Sequence, residues 1–132
     1  YKSASKALEN YMLLIKSASN KAPVIVTSTC LPTIQDGDYF GSVQNARKDV
    51  QASLRDRTDL TLWFNKKIKN WCHDNNIIFI NLDKDVLDDN QLLDNRFICE
   101  SSDHHYKHRP FAHLIIKKVF ASYKKGCMEL TM

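Results

Sequence analysis

Apolar residues recur along the chain with two distinct periods. Between Ala4 and about Lys16, Ala4, Leu8, Tyr11, Met12 and Ile15 fall at i, i+4, i+7, i+8 and i+11, which predicts an amphipathic helix with one core-facing stripe. The run from Asn20 to Pro23 breaks that pattern. Val24 to Cys30 is then rich in β-branched residues without a polar face, predicting a strand buried on both sides and ending at Leu31 and Pro32. Turn-forming Asp36, Gly37, Asp38 and Gly41 predict a loop from Thr33 to Ser42, at the carboxyl end of that strand.

A second helical region spans about Val43 to Asp74. It is best defined after Asp59, an N-cap candidate followed by Leu60, Phe64, Ile68 and Trp71 at helical spacing. Asn75 and Asn76 end it, and Ile77 to Leu82 reads as a second buried strand. Asp83 to Asn95 forms a polar connection carrying the apolar pair Val86 and Leu87; Arg96 to Glu100 has no clear pattern. The last helix is expected from Pro110, a favourable first-turn residue, to about Lys124, with Phe111, Leu114, Ile115 and Val119 inward and Gly126 as terminator. The order α, β, α, β, α implies an α/β fold with parallel strands covered by helices. Two strands apolar on both faces need neighbours on both edges, so residues 1–132 are expected to form a single α/β unit within a larger doubly wound domain.

Composition narrows the functional classes. With 43% hydrophobic residues, only 3 Gly and 3 Pro, and no apolar run approaching the roughly 20 residues of a membrane span, a soluble globular chain is expected and no membrane partner. No basic stretch followed by an apolar one suggests a signal peptide. The four cysteines, Cys30, Cys72, Cys99 and Cys127, lack tight metal-ligand spacing, so no metal and no cofactor is expected. They read as thiols of a reducing, cytoplasmic setting. Nineteen basic against 15 acidic residues leave a net charge of +4, too small for a nucleic-acid signature, and the Asp83 to Asp94 segment would face the same polyanion. The basic groups at Lys66, Lys67 and Lys69, at Lys117 and Lys118, and at Lys124 and Lys125 read as solvated helix faces. Phe64 and Trp71 lie on the core stripe, which favours packing over a ligand-binding aromatic surface.

The densest titratable group is Asp103, His104, His105 and His108, just before the last helix. Histidine moves protons near neutral pH, and an aspartate beside it can fix the tautomer and stabilise the imidazolium. A solvated helix start and a catalytic dyad remain equally open on this pattern, and a metal site is disfavoured because adjacent histidines on extended chain point apart.

These features, in order, resemble the carboxyl-terminal part of an SGNH (GDSL-type) hydrolase: the strand ending in Leu31 and Pro32, the helix with Phe64 and Asn65, the strand Ile77 to Leu82 with Asp83, and Asp103 with His105 before a helix. The resemblance covers nearly all 132 residues and implies a three-layer α/β/α, flavodoxin-like architecture. It further implies a serine-type ester hydrolase or O-acyl transferase acting on a carbohydrate, lipid or small-molecule ester. His105 would be the general base and Asp103 its orienting partner. The family spacing is DxxH, whereas here Asp103 precedes His105 by two; His104 is the alternate base. In the HLSxxG continuation the last position falls on Pro110 if His105 is the base, which favours His105. The family's GDS nucleophile and its Gly and GxND oxyanion donors are absent from these 132 residues, so the segment alone is expected to be inert. Ser28 and Cys30, at the end of the first strand, are the internal nucleophile candidates, although Cys30 reads more naturally as a small buried residue. Ser101 and Ser102 suit a turn cap. The rival readings are a non-catalytic SGNH-like binding module and, third, a basic nucleic-acid-binding α/β domain.

Overall fold

The computed structural model describes residues 2–37, 52–99 and 105–129, with side chains to residue 122. Helix α1 (Lys2–Ser19) carries the expected stripe, with Leu8 and Ile15 buried. Strand β1 (Ile25–Thr27) and strand β2 (Ile78–Ile80) pair in parallel, Ile25 opposite Ile78, Val26 opposite Phe79 and Thr27 opposite Ile80. Helix α2 (Leu54–Asp74) joins them, and helix α3 (Asp83–Val86) follows β2 immediately. A 3-10 turn (Asn95–Phe97) precedes helix α4 (His108–Glu129). The chain is thus a mixed helix and strand structure around a two-stranded parallel sheet.

Several element boundaries differ from the sequence expectation for local reasons. Helix α2 starts at Leu54, not after Asp59, because Ser53 is its N-cap: the Ser53 hydroxyl accepts the Asp56 N–H at 3.0 Å and the Asp56 carboxylate accepts the Ser53 N–H at 3.1 Å. Of the longer helical region anticipated from Val43, residues 43–51 lie outside the described residues. The end of α2 is as read, since Asn76 adopts a left-handed conformation (φ 55°) directly after the Asn75 cap. Helix α4 starts two residues before Pro110, and it runs through Gly126 to Glu129 rather than stopping there. The unassigned stretch at Arg96 forms the 3-10 turn, capped by the Asp94 side chain on the Arg96 N–H at 2.8 Å.

Two apolar clusters hold these elements. In the first, Leu8 and Ile15 of α1 meet Ile68 and Cys72 of α2 over Val26, with Tyr11, Phe64, Trp71 and Phe79 packed around them. Phe64 and Trp71 are therefore core residues, as their spacing suggests. The second lies beyond the carboxyl ends of the strands, where Leu31, Val86, Leu93, Phe97 and Tyr106 pack against Phe111 and Leu114 of α4. Burial of the second face is confined to the carboxyl end of the strands, where Ile80, on the same face as Ile78, is buried and α4 contacts β2. Val26 and Phe79 face α1 and α2, whereas the neighbours Ile25 and Ile78 on the other face remain 42% and 46% exposed.

Arg57 closes the base of the connection between β1 and α2. Its guanidinium donates to the Ile34 carbonyl at 2.9 Å and to Asp36 Oδ1 at 3.0 Å, and the same carboxylate oxygen accepts the Leu54 N–H at 2.6 Å. Residues 34 and 36 are thereby held against the start of α2. Lys118 of α4 pairs with Asp85 of α3 at 2.7 Å, so that lysine is not simply a solvated face.

Among the described residues Ile68 is the largest apolar side chain that is essentially sealed from solvent, and Leu14 lies on the outer face of α1. Chemical denaturation should show Ile68→Ala losing about 2–5 kcal/mol, against less than about 0.5 kcal/mol for Leu14→Ala. Equal losses would mean that α1 packs through its other face.

Candidate functional site

The carboxyl ends of β1 and β2 converge on a shallow depression lined by Ser28, Cys30, Leu82, Asp83, Tyr106 and Phe111, among others. Two of its lining residues, Thr29 and Asp83, are bonded to Asn65, which α2 holds buried near the strand ends. The Asn65 carboxamide accepts the Thr29 N–H at 2.8 Å and donates to the Thr29 carbonyl at 3.0 Å. It also donates to Asp83 Oδ1 at 2.8 Å. One side chain thus replaces the sheet partner that Thr29 loses where β1 ends, and ties that end to the start of α3.

Ser28 is buried, and its hydroxyl accepts the Leu82 N–H at 2.7 Å. Its proton has the Ile80 carbonyl (3.4 Å), Asn81 Oδ1 (3.5 Å) and the Asp83 carboxylate as acceptors. Ser28 therefore serves as a link between the two strand ends, and nucleophilic use would require breaking the Leu82 bond. Cys30 is exposed as a residue, against the expectation of a small buried side chain. It lies beyond Thr27, the last paired residue of β1, and directly before the buried Leu31. Partial burial of its thiol nevertheless pushes the pKa up, a backbone hydrogen bond offsetting this in part, so the thiol stays protonated and weakly nucleophilic near neutrality.

Asp83 is half-buried, and burial raises its carboxyl pKa. Hydrogen bonds from Asn65 and Ser28 and the charge of Lys69 act in the opposite direction. Tyr106 is buried, and its phenol oxygen accepts the Leu31 N–H at 2.7 Å. Burial, reinforced by nearby Cys30 and Asp83, pushes the phenol pKa well up, so it is un-ionised throughout the ordinary pH range.

Of the residues singled out in the sequence, Ser28 and Cys30 share this depression. His105 is exposed and immediately precedes Tyr106, so its backbone lies beside the same strand ends. Asp103 and His104, with Ser101 and Ser102, lie outside the described residues. His108 is exposed in the first turn of α4. Among the described residues no group of three or more His, Cys, Asp or Glu gathers as a metal site would require. Nor is any helix long and apolar enough to cross a membrane.

Sequence reading did not select Asn65, Asp83 or Tyr106 as site residues. A polar residue on the apolar stripe of α2 and a carboxylate directly after a strand were the available signals for the first two. Nothing local marks Tyr106, whose partner Leu31 is 75 positions away. No protein-family model matches the chain, and no curated protein matches it.

Two predictions follow from this network. Asn65→Ala leaves the part-buried Thr29 N–H without its acceptor and Asp83 without one of its two side-chain donors. With unmet groups costing about 1–3 kcal/mol, a loss of about 1–3 kcal/mol is expected in urea titrations; a loss below about 0.5 kcal/mol would mean that water replaces the carboxamide. Asp83 gives a stability signature of opposite sign to a paired carboxylate. With the folded pKa raised, the folded state holds a proton that the unfolded state releases between about pH 4 and the raised value. Stability contributed by Asp83 is present below that interval and declines as pH rises through it. Relative to Asp83→Asn, the wild-type chain should therefore lose stability over that interval, and a relative gain would refute the burial account.

Proposed function

We propose that these residues are the base-bearing part of an SGNH-type serine ester hydrolase or acyl transferase with a three-layer α/β/α, flavodoxin-like architecture. The observation that carries the reading is the location of the His105 segment. Its neighbour Tyr106 lines the depression at the carboxyl ends of two parallel strands, the side of an α/β sheet where active sites gather. The order of features in the resemblance, from Leu31 and Pro32 through Phe64 and Asn65 to Asp103 and His105, supports it independently. The exposed Ile25 and Ile78 on one sheet face are in keeping with a sheet and helix layer that continue in other polypeptide.

In this mechanism a serine supplied from outside these 132 residues attacks the acyl carbonyl, and His105 takes the hydroxyl proton as the new C–O bond forms. His105 then returns that proton to the departing alkoxide, leaving an acyl-serine. Water, or an acceptor hydroxyl in a transferase, releases the acyl group by the same sequence in reverse. Asp103 orients the imidazole and stabilises its protonated form. The substrate class is an O-acyl ester of a carbohydrate, lipid or small molecule.

A second reading, a non-catalytic binding module of the same architecture, is favoured by one specific observation. The two internal nucleophile candidates are poorly disposed to react, Ser28 being engaged by Leu82 and Cys30 being held as a thiol.

The discriminating assay is p-nitrophenyl acetate hydrolysis by the longest natural chain containing these residues, with and without a serine-directed phosphonate. The hydrolase reading expects phosphonate-sensitive turnover. It further expects His105→Ala to reduce kcat by about 10³-fold or more with little change in Tm, since His105 is exposed. Turnover that survives His105→Ala removes His105 from the mechanism; no turnover in the unaltered protein gives the lead to the binding module.

A further inference from the structure

We infer that the outer edge of β1 is an interaction surface for one further strand, an extended apolar segment that pairs in parallel with Ile25–Thr27 and leads into α1. The inference rests on the layered architecture proposed above and takes nothing from ester chemistry. Its first ground is the direction of the backbone groups. Ser28 donates its N–H to the Ile80 carbonyl at 3.1 Å, and Thr27 stands opposite Ile80 in the register. Successive residues of a strand direct their N–H and C=O to alternate sides. Val26 and Ser28 therefore bond toward β2, and the N–H and C=O of Ile25 and Thr27 point away from it. Among the described residues these outward groups have no hydrogen-bond partner. Open edges are ordinarily blunted by a charge, a proline or a bulge. Val24 to Thr27 has neither charge nor proline, and its register with β2 is regular.

The helices supply the second ground. The connection from β1 to β2 runs through α2, which packs on the Val26 and Phe79 face of the sheet. Helix α1 packs on that same face through Leu8 and Ile15 and enters β1 after a short link, residues 20–24. It therefore has the place of the return arm of a crossover that ends in β1. Crossovers between parallel strands are right-handed in about 98% of cases. Two right-handed crossovers over one face advance the sheet in one direction, so the strand feeding α1 lies on the side of β1 away from β2. That is the side to which Ile25 and Thr27 present their unpaired groups. The corresponding groups of Phe79 lie at the opposite edge, to which α1 does not lead. A parallel neighbour finishes at the same end as β1, so the residues that follow it arrive at the depression beside Ser28, Thr29 and Cys30. The same strand gives Ile25, 42% exposed, an apolar neighbour on its own face.

Amide hydrogen exchange and through-hydrogen-bond NMR couplings on the longest natural chain containing these residues test the assignment without any substitution. The Ile25 and Thr27 amides should exchange on the order of 100-fold more slowly than free amides. The coupling across the Thr27 N–H should identify an acceptor carbonyl on the amino-terminal side of α1. Free exchange at Ile25 and Thr27 overturns the inference, and protection of the Phe79 amide in their place moves the continuation of the sheet to β2. An acceptor within residues 38–51, or in a second copy of the chain, overturns it as well, because the edge then has a different occupant. Neither readout needs turnover. Protected amides with the expected acceptor, in a chain that leaves p-nitrophenyl acetate intact, would keep the strand and remove the hydrolase reading; phosphonate-sensitive turnover with free Ile25 and Thr27 amides would do the reverse.

Discussion

The arrangement at the strand ends depends on burying one polar side chain without leaving any of its hydrogen bonds unmade. Asn65 gives both of its amide functions to Thr29 and shares its donor group with Asp83. An asparagine buried in this way is costly when unsatisfied and rigid when satisfied, because its planar carboxamide fixes two backbone groups and a carboxylate in one frame. That frame determines where β1 stops, where α3 starts and how far apart Ser28, Cys30 and Asp83 stand. Tyr106 extends it through Leu31 to the segment that carries His105. The candidate chemistry therefore lies on a scaffold whose polar members are held by the backbone more than by each other.

The sheet imposes the second constraint. Parallel strands are ordinarily covered on both faces; here α1 and α2 cover the Val26 side, while on the opposite side Ile80 is buried and α4 contacts β2. Ile25 and Ile78 sit side by side on the other face with substantial exposure. Apolar clustering is instead concentrated past the strand ends, where the ring contacts of Phe97, Tyr106 and Phe111 join the 3-10 turn to α4. This second cluster supports the depression at the strand ends and leaves Ile25 and Ile78 exposed.

Much of the secondary structure was legible because its signals are local. The 3.6-residue stripe of α1, the β-branched runs of the strands and the left-handed Asn76 each follow from side chains close together in the chain. The misplaced boundaries have local explanations as well. The Ser53 and Asp56 capping box outcompetes Asp59, and Gly126 is tolerated within a helix instead of ending it. Strand burial was overstated at Ile25 and Ile78 because an apolar run reports only that a residue can be buried, not that every position of it is covered. Cys30 was misread for a related reason: the run continues past Thr27, the last paired residue, and Cys30 is exposed.

The candidate site divides the same way. Sequence alone identified the acid and histidine group before the last helix, the strand-end location of Ser28 and Cys30, and the order of elements that implies parallel strands, since residue type and period suffice for these. Tertiary structure alone decided that Ser28 is a structural link, that Asn65 ties Thr29 to Asp83 at the depression, and that Tyr106 reaches Leu31. Those assignments depend on hydrogen bonds between residues 18 to 75 positions apart. Such distances close only when helices and strands pack, and no periodicity along the chain encodes which polar groups will meet.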